Sequence, residues 1–144
     1  MSDEDVEMAD DQPWLDSEHA RVAAYLEAEG VAHAGVAAEP DWYVHEVVAV
    51  WAVASSASPG HVGWWAVSGD IPTDYIGSTG IGDARQALAA IAARWDADAE
   101  RMRAGMQPEG VSFGSSTEWP ELAPMLAARA AHLAEWARDD ELWS

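Results

Sequence analysis

The chain has 144 residues, 49% of them hydrophobic, a length that argues for one domain burying roughly 68–70% of its unfolded surface. Its 26 Asp and Glu face seven Arg and no Lys, giving a net charge of −19 that repels nucleic acid and anionic membrane and steers basic partners inward. There is no cysteine, which excludes disulfides, thiolate nucleophiles and Cys-based zinc sites.

Residues 1–12 carry six carboxylates and few large apolar groups, so they read as an acidic, disordered tail ahead of a single domain over 13–144. No signal-peptide pattern is present, and the longest apolar run, Val47 to Ala54, is far too short to cross a bilayer. The expectation is a soluble cytoplasmic protein. From Asp16 or Ser17 the pattern turns helical, with Gly30 at the position that ends a helix and His19, Ala23, Tyr25 and Leu26 along one side. After an irregular stretch closed by Pro40, Trp42 to Val53 reads as one strand and Val62 to Gly69 as another. The Ser-Ser-Ala-Ser-Pro-Gly link between them is turn chemistry, so the two form an antiparallel hairpin. Alternation puts Val48 and Val50 against Val47, Ala49, Trp51 and Val53, and Trp64 and Ala66 against Trp65 and Val67. Both faces are apolar, so both need cover from helices or from a partner.

The clearest element follows Asp83, a capping residue with Gln86 three positions on, and ends at Gly105. Ala84, Leu88, Ile91, Trp95 and Met102 make its apolar stripe. A polar loop over 105–117 leads to a last helix over 121–138, with prolines at its start and an apolar row of Leu122, Leu126, Arg129, Leu133 and Trp136. The expected fold is α+β: a small antiparallel sheet of two to three strands packed with three helices, in the order α-β-β-α-α.

Few residues suggest chemistry. The five histidines show no pair at ligand spacing, and His45 and Glu46, adjacent on a strand, point to opposite faces and cannot chelate together. No metal site, cofactor or catalytic set is therefore expected. Ser68 lacks the surroundings of a nucleophile elbow and reads as a turn residue. The glycine-rich run 77–86 opens a helix as phosphate loops do, but it has no Lys and carries Asp83 at the cap. Asp70 and Asp74 are the best candidates. With Thr73 they could hold a hard cation or act as acid and base, they could cap turn N–H groups, or they could form a structural ion pair with Arg129 or Arg94. Structural use is preferred, because an arginine on an apolar helical row needs a partner.

The blocks "WWAVSGDIPTDYI" (Trp64 to Ile76), "ARQALAAIAARW" (Ala84 to Trp95) and "DDELW" (Asp139 to Trp143) resemble a bacterial family catalogued as domain of unknown function 4826. The resemblance implies a small cytoplasmic α+β domain and brings no activity, cofactor or catalytic residue. The acidic N-terminus, the glycine-rich insert at 77–82 and the lack of Lys depart from the family pattern. The strand leading into Ser-Gly-Asp is also similar to small immunity proteins that neutralise bacterial toxins. Size, charge and surplus Trp together point to a non-catalytic acidic module that binds a basic protein such as a toxin, through Trp64 or Trp65 with Asp70, Asp74 and Tyr75. The alternatives are a small enzyme or ligand-binding domain built on the Asp70-Thr73-Asp74 turn, and a structural subunit that self-associates.

Overall fold

The computed structural model of the protein describes the backbone of residues 3–107 and 118–143 and the side chains from Asp11 onward. Its elements are α1 (Asp3–Ala28), β1 (Trp42–Val44), β2 (Val48–Ala54), β3 (Val62–Gly69), β4 (Asp74–Gly77), α2 (Ala84–Arg103), α3 (Trp119–Arg138) and a closing 3-10 helix (Asp140–Trp143). The class is α+β, but the sheet has four strands rather than two or three and the order is α-β-β-β-β-α-α. The chain divides into two compact units, Met1–Ala84 and Arg85–Ser144. The polar loop expected over 105–117 lies outside the described residues from position 108.

In the first unit the sheet is a meander, β1-β2-β3-β4, with each neighbouring pair antiparallel. The single strand expected over Trp42 to Val53 folds back on itself, so that Val44 lies opposite Val48. The turn is closed by the Val47 N–H donating to the Val44 carbonyl at 2.9 Å, and Glu46 within it takes φ +62, uncommon for a residue with a side chain. The fourth strand is short and pairs Asp74 with Val67. The registers put Ala49, Trp51, Val53, Trp64, Ala66 and Tyr75 on one face, and Val48, Val50, Trp65, Val67 and Asp74 on the other, as the alternation requires.

Helix α1 covers the first of these faces. Val22 and Leu26 join Ala49, Trp51, Val53 and Ala66 in one buried cluster, ringed by Trp14, Val31, Val36, Tyr43, Trp64 and Tyr75. Val22, Leu26 and Val53, fully buried there, each contribute about 1.5–3 kcal/mol. Trp51 is wholly buried, and its indole N–H donates to the Ser68 hydroxyl at 3.1 Å, so the largest core side chain leaves no polar atom wanting. His19 meets its ring edge-on at 5.5 Å. The opposite face is buried as well at Val48, Val50, Trp65 and Val67.

The helix itself differs from expectation. It begins at Asp3, ahead of the cap expected at Asp16 or Ser17, and holds Pro13 in its interior. Its buried stripe is Leu15, Glu18, Val22 and Leu26, while His19, Ala23 and Tyr25 lie on the flanks, half-buried. It ends as expected: Gly30 N–H bonds back to Glu27 and Val31 N–H to Leu26, the paired bonds of a Schellman cap.

Gly69 ties the strand ends together. Its φ is +126, and a Cβ there would sit 2.4 Å from the Val47 carbonyl oxygen, closer than any carbon can approach. The next residue, Asp70, donates its N–H to that same oxygen at 2.9 Å.

In the second unit the α2 stripe is buried as predicted, at Leu88, Ile91, Trp95 and Met102, and Gly105 closes the helix with a second Schellman pair. The α3 row is not the expected one. Ala123, Leu126, Ala130, Leu133 and Ala137 are buried, which leaves Leu122, Arg129 and Trp136 half-buried beside them. Alanine carries the burial there, and α2 and α3 line a shallow cavity of about 490 Å³ mainly with alanines. Arg85, at the start of α2, reaches the end of α3. Its Nε donates to the Ala137 carbonyl at 2.6 Å, one of the carbonyls a helix C-terminus leaves without a partner. A terminal nitrogen pairs with Asp140 at 2.6 Å, and the guanidinium lies 5.9 Å from the Trp143 ring centroid. Trp143 in turn donates its indole N–H to the Trp136 carbonyl at 2.9 Å.

Two substitutions check these points. Gly69→Ala combines a positive φ with a backbone clash and is expected to cost about 3 kcal/mol or more in chemical denaturation. Arg85→Ala removes a charge-assisted bond to a helix terminus and is expected to cost about 1–3 kcal/mol, with a red shift of indole emission as Trp143 is released.

Candidate functional site

The turn from β3 to β4, Gly69 to Asp74, carries the residues singled out in the sequence. Ser68 is not a turn residue but a fully buried member of β3, paired with Ala49, and its hydroxyl accepts the Trp51 indole N–H. Asp70 is exposed, Ile71 is buried, and Thr73 is half-buried. Asp74 is only 2% exposed, and its Oδ1 accepts the Tyr75 N–H at 2.7 Å. The two aspartates therefore sit in different surroundings: one meets solvent, the other caps the backbone at the start of a strand. Of the other residues expected to meet a partner, Trp65 is 3% exposed, Trp64 packs against the α1-covered cluster, and Tyr75 is half-buried. Arg94 and Arg129 are half-buried on α2 and α3, in the second unit.

Asp74 has an electrostatic effect within its own unit. The Tyr75 and Tyr25 rings meet at 6.1 Å, tilted by 65°, and the Tyr25 hydroxyl donates to Glu29 at 3.4 Å. Burial first, then the Asp74 and Glu29 carboxylates, hold the Tyr25 phenol well above its ordinary 10.0, because each disfavours the phenolate. Burial likewise raises the carboxyl of Asp41 above its ordinary 3.8.

A second cluster joins α1 to the β1–β2 turn. Asp11 accepts the Tyr43 hydroxyl at 2.8 Å on one oxygen and lies 2.9 Å from His45 Nδ1 on the other. His45 Nε2 is 3.6 Å from Glu46, and the Trp14 ring stands edge-on to the imidazole at 5.5 Å. The expectation that His45 and Glu46 point to opposite faces of a strand is corrected here, because both lie in a turn, where alternation lapses. Asp11 had been placed in the tail, and no short-range pattern links it to residues more than thirty positions away. Among the described residues, no group of three or more His, Asp and Glu is placed to hold a metal ion. No described helix is long and apolar enough to cross a membrane.

The family model described as Domain of unknown function (DUF4826) matches residues 8–143, from within α1 to the last tryptophan. Neither the curated proteins nor the solved structures contain a match to the chain. The match spans the Ser-Gly-Asp turn, and it also spans Arg85 and the Asp-Glu-Leu-Trp end, two sequence blocks that the Arg85 clamp brings together in space.

Tyr25 gives this geometry a pH signature. Above pH 10 the unfolded chain releases the Tyr25 proton while the folded chain keeps it, so stability that is complete below that pH falls as pH rises further. Phenolate absorbance of the native protein should include one tyrosine that ionises late, and Asp74→Asn should bring that ionisation to lower pH.

Proposed function

The chain belongs to the DUF4826 family, and from its own chemistry we propose that it is a non-catalytic acidic module that binds a basic protein, in the manner of the immunity proteins that neutralise toxins. The observation that carries this reading is the charge, −19 over 144 residues with no lysine. Carboxylates stand in solvent on both units, including Asp70, Glu46 and, in the second unit, Glu100 and Asp140. A field of one sign accelerates encounter with an oppositely charged partner, while exposed pairs add little stability of their own. Because Trp65 is buried and Trp64 is held against the α1-covered cluster, contact in the resting chain falls to carboxylates such as Asp70 and not to an exposed tryptophan face.

The test is capture of a basic protein from the native host at low salt, followed by association kinetics with the purified partner. The association rate should fall by about tenfold or more between ~0.01 M and ~0.15 M salt. Asp70→Asn should slow association more than it speeds dissociation. No captured partner, or salt-independent association, contradicts the reading.

A further inference from the structure

We propose that α1 is a detachable cover: its stretch from Leu15 to Leu26 leaves the Trp51 and Trp64 face as a unit while β2 and β3 remain paired. The reason lies in the middle of its buried stripe. Glu18 shares a helix face with Leu15, Val22 and Leu26, at the three- and four-residue spacing that stacks side chains, and is 2% exposed. Its Oε2 is 3.3 Å from the Nε of Arg21, one turn along the same helix and 56% exposed. Its Oε1 is buried with no hydrogen-bond partner among the described residues. The bond to Arg21 is internal to the helix and survives undocking. Docking therefore takes one carboxylate oxygen out of water and gives nothing back for it, a penalty that undocking removes at once.

Two further observations point the same way. The Trp64 indole N–H, on the covered face, is also buried without a partner among the described residues, so water reaching that face would satisfy it. Pro13 lacks the N–H that would bond back one turn, so the hydrogen-bond ladder of α1 is interrupted just before the covering stretch. Ahead of it, the described polar hold on the sheet is the Asp11 carboxylate, shared between Tyr43 and His45. In the sheet beneath, β2 and β3 pair without a shift from Val48–Gly69 to Val53–Trp64, the irregularity coming only at Val53/Ala54, and the buried Trp51–Ser68 bond links the two strands within that run. Undocking bares Trp64 and Tyr75, two of the three aromatic residues of the expected partner surface; the third, Trp65, is on the opposite face. The proposal concerns the free chain and does not rest on the partner-binding reading.

Amide hydrogen exchange on the full chain tests it. Backbone amides of residues 16–28 should exchange about tenfold or more faster than those of β2 and β3. Glu18→Leu should slow the helix amides about tenfold and narrow that gap, and Asp11→Ala should widen it. Equal protection of helix and strands in the natural chain overturns the proposal. So does a Glu18→Leu variant that shifts both sets by the same factor, since that is a general stability effect. If Glu18→Leu does not fold, Asp11→Ala decides: a gap unchanged from the natural chain overturns the proposal. Salt-dependent partner capture is a separate measurement, and the failure of either reading leaves the other standing.

Discussion

At the end of β3 the backbone of Gly69 runs against the carbonyl of Val47 so closely that no side-chain carbon fits between them. That approach lets Asp70 donate to the same carbonyl, and it fastens the turn after β3 to the turn between β1 and β2. With both turns held, the register of the central hairpin is fixed, and with it the facing of every side chain from Val48 to Gly69, because a one-residue slip would reverse them all. Trp51 then meets Ser68 and the underside of α1, and Asp74 arrives where it caps β4 and confronts Tyr25. The Ser-Gly-Asp run is thus conspicuous in the sequence for a reason of backbone geometry. Its glycine does what no other residue can, its serine completes a buried tryptophan, and its aspartate is left facing solvent.

The second unit is organised around a cation. Arg85 meets a helix terminus, a carboxylate and an indole with one planar group, a combination that lysine could not reproduce. In a chain with seven cations against 26 anions, one placed this way offsets the negative end of α3 and pins the final tryptophan. Alanines line the space between α2 and α3, and the arginine ties the start of one helix to the end of the other.

What was legible in the sequence was local and periodic. The faces of β2 and β3 followed from alternation, the α2 stripe from helical spacing, and the ends of α1 and α2 from Gly30 and Gly105. The turn inside Trp42 to Val53 was not legible, because it is made by His45, Glu46 and Val47 with none of the usual turn residues. The four residues of β4 were hidden by the glycines that follow them. The α3 row was misread by following large side chains when alanines carried the burial, which put Arg129 at the centre of a stripe it only borders. The α1 stripe was misread because a glutamate occupies one of its buried positions. The Asp11–Tyr43–His45 cluster joins residues too far apart in sequence for any periodic signal to connect.

Every strand of the sheet pairs with the strand next to it in the chain, so the meander can form by successive short-range steps. Helix α1 precedes the sheet in the chain, yet the face it covers is complete only once β3 and β4 have followed. Until then its apolar side chains have nothing to dock on. A helix that precedes its docking face in the chain is better served by modest hydrophobicity than by a perfect apolar stripe, and the acid at position 18 is one way to keep it so.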